Sequence, residues 1–313
     1  MENRSDITAR TRGTCDWVLR HPEYLKWNSG GGLFLVNGRP GAGKSTIMES
    51  LLEAERPHGS TDDGAMGSRT AIASFFFHRR GEDLNHSALG LFRSLLHQIL
   101  SQHPALLSDF CRDSGFTRNC EEKGNAGEKW KWAEPELRRL LVQYVKRFTR
   151  TRSLRLYIDA LDESGEATAR DLIGYFAELL VDLPVRLSIC VSCRPWPKVI
   201  TECDRSVTVE KGNKEDIESY LRKNLNYAQA KRDPQSQRGI KEIRAEIANR
   251  AKGVFQWVVL VAKRVIPLLG EDKDYVLGEI SRLPLELSDL YEEMLSPSQL
   301  PNEDLELAIR VLR

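Results

Sequence analysis

Short apolar runs recur along the first two-thirds of the chain, and helical spacing fills the gaps between them. The run LFLV at 33–36 ends in the glycine-rich stretch 38–43 and predicts a buried strand. AIASFFF at 71–77, LRLYID at 154–159 and LSICVSC at 187–193 predict three more, and the alternating stretch at 205–210 predicts a fifth near a sheet edge. Between them, 44–55 carries good helix formers and stops before Pro57, 89–100 has helical spacing, and 167–181 reads as a helix ending before Pro184. Pro135 suits a first helical turn, and the amphipathic ELRRLLVQYVKRF follows it. Pro104 is read as closing the helix before it, and the polar stretches 57–69 and 112–129 as surface loops.

Strands separated by helices of this length predict parallel β-α-β units with right-handed crossovers. Their near-continuous apolar character fits a sheet covered on both faces. From about residue 213 the spacing becomes all-helical, at 213–224, 239–250, 254–266, 272–282, 286–295 and 303–313. The expected organisation is therefore a helical flank at 1–30, an α/β core at 31–212 and a smaller all-helical domain at 213–313. No internal repeat is visible.

Composition changes this picture little. The chain has 313 residues, 41% of them hydrophobic and 29% charged, as in a globular protein. Its net charge of +1 supplies no global field to draw nucleic acid or an anionic membrane, so neither is an expected partner. No apolar run approaches the ~18 residues of a membrane span. The N-terminus MENRSDITAR has no apolar leader segment, and the six cysteines are expected as free thiols in a reducing, cytoplasmic setting. Cys190 and Cys193 form a CxxC, but on a strand residues three apart face opposite ways, and no second pair supports a metal.

The chemistry concentrates at 38–46. Gly38-Arg39-Pro40-Gly41-Ala42-Gly43-Lys44-Ser45 matches GxxxxGK[ST], with Thr46 next, between an apolar strand and a helix. Glycines there let successive N–H groups curl around phosphate oxygens. Lys44 bridges the β- and γ-phosphates, and the Ser45 hydroxyl takes a Mg²⁺ coordination position. The helix N-terminus adds its positive end. A second acidic site is expected at Asp159, where an apolar strand ends in a carboxylate that would hold Mg²⁺ through water. Glu163 or Asp162 would then polarise the attacking water. Arg194 follows the fourth strand, where ligands of parallel sheets sit, and its guanidinium could reach a γ-phosphate. His78-Arg79-Arg80 follows the second strand in the same way, near the nucleotide or on an assembly surface.

Taken together, Thr14-Cys15-Asp16-Trp17, VNGRPGAGKST, SFFFHRRG, YIDALDE, SCRPWP and AKGVFQWVVLV at 251–261 resemble the NACHT-type NTPases of the STAND class. The likeness is to the fungal signalling proteins in particular, with a nephrocystin-3-like N-terminal NTPase module. It implies a P-loop NTPase fold with strand order 5-1-4-3-2; the apolar residues of the strand bearing the P-loop separately predict a central place for it. It also implies Asp159 as the Mg²⁺ residue, Asp162 and Glu163 as the hydrolytic acids, and Arg194 as a sensor. An ADP-bound resting state and an ATP-bound state that self-associates are implied too. Such proteins carry effector and repeat domains and a winged helix; the winged helix would be expected to begin near 308–313. A chain without these is expected to exchange nucleotide readily and switch poorly.

Two other readings stand beside an ATP switch. Asp162-Glu163-Ser164-Gly165 matches DxxG and Asn213-Lys214-Glu215-Asp216 matches NKxD, the guanine-reading pattern of small GTPases. Against GTP, Asp159 and not Asp162 ends the strand, and Asn213 can instead N-cap the following helix, with Asp216 three residues on. The third reading is a nucleotide-binding scaffold with little turnover.

Overall fold

A computed structural model of the 313-residue chain describes residues 14–55, 70–79, 82–113, 115–124, 130–183, 186–195, 205–226 and 234–294. The expected loop at 57–69 and helix at 303–313, with Arg80 and Pro197, lie outside them.

All five expected strands form: β1 (Gly32–Asn37), β2 (Thr70–Phe76), β3 (Ser153–Asp159), β4 (Leu187–Cys193) and β5 (Ser206–Thr208). They make one sheet in the order β2-β3-β4-β1-β5, which is the expected order read from its other end. Every pairing between them is parallel. The P-loop strand β1 is interior, and β4 has the middle place, both as the expected order has them; all seven residues of β4 are buried.

In chain order the helices are α1 (Asp16–Leu19), α2 (Pro22–Gly30), α3 (Lys44–Glu55), α4 (Ala88–Ser101), α5 (Pro104–Asp113), α6 (Phe116–Lys123), α7 (Glu134–Phe148) and α8 (Glu166–Asp182). Then follow α9 (Val209–Gly212), α10 (Lys214–Asn226), α11 (Pro234–Ala251), α12 (Phe255–Val265), α13 (Lys273–Arg282) and α14 (Leu287–Met294). Two of these correct the sequence reading. Pro104 opens α5 instead of closing the region, because proline is tolerated where a helix begins. The stretch 112–129 contains α6, bracketed by Gly115 and Gly124 at positive φ, with Phe116 stacked on Trp132. The expected fifth strand also ends early, since Val209 starts α9.

Side-chain alternation sorts the sheet into two faces. Leu154, Leu156 and Ile158 of β3 and Leu187, Ile189 and Val191 of β4 pack with α4, α7 and α8 in one apolar core. The alternate residues face α2 and α3: Tyr157 meets Trp27 edge-on, and the Cys190 sulfur lies 3.5 Å from that of Met48. Asp159 falls in the same register as Tyr157. Period two therefore carries the strand-end carboxylate to the face of α3, the helix that follows the P-loop.

Contacts divide the chain into two compact units, one holding Cys15–Gly38 and Lys44–Thr208, the other Arg39–Gly43 and Val209 onward. In the second, apolar stripes of α10 to α13, including Ile217, Leu221, Ile243, Ile247, Trp257, Val261 and Ile280, form a core of their own. The buried indole of Trp257 donates to the Pro284 carbonyl at 2.8 Å.

Candidate functional site

β1 runs into the loop of residues 38–43 and α3 begins at Lys44, so the predicted strand–loop–helix context is present. Gly38 donates its N–H to the Cys193 carbonyl at 3.4 Å, fixing the loop's start against the end of β4. Gly41 and Gly43 take φ of +73° and +106°, a region other residues rarely adopt. A Cβ built on Gly43 would meet nothing within 4 Å, so its side of the loop is open. Arg39 and Pro40 are exposed, while Ser45 and Thr46 are partly buried in the first turn of α3. Lys44 Nζ donates across the loop to the Gly38 carbonyl at 2.8 Å.

Beside them stands Asp159 at the end of β3, only 3% exposed. Its carboxylate accepts hydrogen bonds from the Ser192 and Ser45 hydroxyls and lies in the field of the Lys44 ammonium. Burial dominates and raises its pKa, with the two hydroxyls and Lys44 opposing that rise. The next residue, Ala160, sits at φ +52°, unusual for a residue with a side chain. Its N–H donates to Ser192 Oγ at 2.9 Å. Ser192 thus ties both the carboxylate and the turn after it.

Past that turn the acids part company. Asp162 is taken by Arg194, whose backbone N–H reaches Oδ1 at 3.1 Å and whose Nε reaches Oδ2 at 2.9 Å. Glu163 Oε2 instead accepts the Arg79 backbone N–H at 2.8 Å. So the structure joins Ser45 to Asp159 and Arg194 to Asp162, while Glu163 meets the segment after β2. Arg79 contributes to that contact through its backbone.

Sequence reasoning missed Ser192. Its only signal is a small polar residue in an otherwise apolar strand, one position before the end. Asn213 was read as a helix cap, and this is corrected. Its Nδ2 donates to the Ala42 carbonyl at 3.2 Å and the Gly253 carbonyl at 2.7 Å, and its Oδ1 has no partner. The cysteines of the CxxC have different neighbours, Met48 for Cys190 and Asn37 for Cys193.

The sequence model named Nephrocystin 3, N-terminal, matches residues 13–194, more than half of the chain. The chain belongs to the nephrocystin 3 N-terminal family. The match runs from the helical flank to Arg194, and so takes in the P-loop, Asp159, Asp162, Glu163 and Ser192 but not Asn213. The chain is also 24% identical, over 309 aligned residues, to the vegetative incompatibility protein HET-E-1 of Podospora anserina. That alignment covers 95% of this chain and 21% of the relative, so the chain spans about a fifth of that protein's length. Among solved structures it is similar to a chain of the Drosophila origin recognition complex bound to DNA, with TM-score 0.43 and 12% identity, covering 87% of this chain and 65% of that one. A second is PCH-2 of C. elegans, with TM-score 0.36 and 10% identity, covering 85% of this chain and 65% of that one.

Proposed function

We propose that this chain is a Mg²⁺-dependent ATP-binding switch of the NACHT type that hydrolyses ATP slowly and signals through self-association. The observation that carries the reading is the contact of the P-loop Ser45 hydroxyl with the buried Asp159 carboxylate, beside Lys44. A hydroxyl and a carboxylate are hard oxygen donors of the kind Mg²⁺ takes one or two at a time, completing its shell with phosphate and water. Among the described residues no group of three or more His, Cys, Asp or Glu could hold a metal alone. Mg²⁺ would accordingly enter with the nucleotide. When bound, it supplies charge neutralisation at the β- and γ-phosphoryl oxygens.

The chain's own residues divide the remaining work. The loop 38–46 binds the phosphates, and Lys44 exchanges its Gly38 contact for phosphate oxygens. Glu163, oriented through Oε2 by the Arg79 N–H, has its second oxygen for a water. Asp162 anchors Arg194 at the end of β4. The commitment of the Asn213 amide to two carbonyls speaks for ATP over GTP, because a guanine-reading Asn needs that group for the base. A scaffold with little turnover remains the second reading, favoured by the engagement of both acids.

The relative's name suggests a setting in vegetative incompatibility, and a cytoplasmic location is part of the proposal. No helix among the described residues is long and apolar enough to cross a membrane. The test is single-turnover hydrolysis of Mg-ATP and Mg-GTP by wild type and Glu163→Gln. Slow wild-type turnover of ATP, abolished in the variant with triphosphate still bound, is expected. Equal turnover in both proteins would remove Glu163 from the chemistry.

A further inference from the structure

The NKxD-like motif has no place in an ATP reading, yet Asn213 is 3% exposed and both of its amide bonds are long-range. Within the second unit, the stretch Arg39–Gly43 is held at three places, Arg39, Gly41 and Ala42. Glu210 Oε1 accepts the Arg39 N–H. The Gln256 N–H, in the first turn of α12, donates to the Gly41 carbonyl at 2.9 Å. Asn213 Nδ2 donates to the Ala42 carbonyl at 3.2 Å.

A trans peptide is planar, and its C=O and the following N–H point opposite ways. Holding the Ala42 carbonyl toward Asn213 therefore turns the Gly43 N–H to the other side of the loop. At Gly43 itself a built Cβ would meet nothing within 4 Å, so the loop is open at that residue. The Ala42 N–H closes a turn on the Arg39 carbonyl at 3.2 Å, so the Gly43 N–H is the donor that this arrangement aims outward. The second Asn213 bond, 2.7 Å to the Gly253 carbonyl, braces the amide against the turn between α11 and α12. Gly253 in that turn has φ +82°, and a Cβ there would come within 2.5 Å of Glu210. The brace is thus built on close backbone packing. Meanwhile the buried Asn213 Oδ1 has no partner, an unfavourable state that a capping role would have avoided. The side-chain amide makes its hydrogen bonds to these two carbonyls, while the backbone of Asn213 joins α9 to α10.

We propose that Asn213 is a positioning residue of the phosphate loop, its amide fixing the Ala42–Gly43 peptide so that the Gly43 N–H faces the phosphates. The inference rests on the reading of 38–46 as the phosphate site. It predicts an effect blind to the base and felt by every nucleotide, whereas a guanine reader would affect GTP alone.

The experiment titrates Mg-ATP, Mg-ADP and Mg-GTP into the full chain, as wild type, Asn213→Ala and Asn213→Ser, each well below its own melting temperature. Folded-state affinity is the readout, because a merely structural loss lowers the melting temperature and leaves the dissociation constant in place. The expected result is about tenfold weaker binding of all three nucleotides by Asn213→Ala. Asn213→Ser, which keeps one donor, should fall between it and wild type. If Asn213→Ala does not fold, the serine variant alone decides, with weakened binding of all three expected. Unchanged affinities in a folded variant overturn the proposal, and so does a loss confined to GTP. A wild type that binds none of the three contradicts the phosphate-site reading itself, which keeps the two failures apart.

Discussion

Ser192→Ala should destabilise the nucleotide-free protein by far more than a lost hydroxyl on a surface would. The Ser192 side chain is fully buried, donates to Asp159 Oδ1 and accepts the Ala160 N–H at 2.9 Å. A hydrogen bond to a charged group contributes about 1.5–3 kcal/mol, and a buried N–H left unpaired costs about 1–3 kcal/mol. Together the loss is about 3–5 kcal/mol, or roughly 10 °C in melting temperature at about 2–4 °C per kcal/mol. The pH dependence identifies the cause. Burial raises the Asp159 pKa and Ser192 opposes the rise, so the variant's carboxyl is raised further. A carboxyl whose folded pKa is raised contributes stability that is fully present below the unfolded value, about 3.9, and lost as pH rises through the folded value. The variant should lose more of it than wild type. The gap between the two proteins is then smaller in acid, where the bond lost to the carboxyl is a neutral and weaker one, and widens toward neutral pH. Thermal unfolding followed by tryptophan fluorescence across that range is the assay. A gap that stays constant with pH, or no gap at all, would refute the reasoning.

Asp159→Asn removes the buried charge, so the nucleotide-free variant should melt above wild type at neutral pH, while the Mg²⁺-dependent part of nucleotide binding disappears; a variant melting at or below wild type would contradict this. Arg155 pairs with Glu55 at the end of α3, each side chain 16% exposed, and also lies over the Trp27 ring. Arg155→Met should cost about 3 kcal/mol in denaturant unfolding by leaving the Glu55 carboxylate without its cation, though still bonded by the Tyr157 hydroxyl at 3.2 Å, and adding Glu55→Gln should recover most of it. No recovery in the double variant would mean that packing on Trp27, and not the ion pair, is what the arginine supplies.

What the sequence made legible, and what it hid, follows from the range of each interaction. β1 to β4 read directly because both sheet faces are covered and the strands are mostly apolar. Asp159 read because its carboxylate breaks such a run at its end. α5 and α6 were hidden by Pro104, Gly115 and Gly124, residues that end helices as readily as they begin them. Within the site, local pattern misled wherever the true partner is remote. Asn213 has a plausible cap partner three residues on, yet its amide reaches Ala42 and Gly253. Arg194 was legible as a strand-end residue, while its pairing with Asp162, from the turn after the neighbouring strand, was not. Ser192 gave almost no signal, because its importance lies in β4 running beside β3, a neighbourhood set by sheet order.

The most direct test of the account is calorimetric titration of Mg-ATP and Mg-ADP into wild type and Lys44→Ala. Lys44 already spans the loop to the Gly38 carbonyl, and in the proposed nucleotide complex its charge would move to phosphate. Removing a charge-assisted contact of about 1.5–3 kcal/mol should weaken binding roughly tenfold or more. Wild-type binding that requires Mg²⁺ and falls by that factor in the variant is the predicted result. Equal affinities in the two proteins, or no binding by wild type, would contradict the assignment of residues 38–46 as the phosphate site.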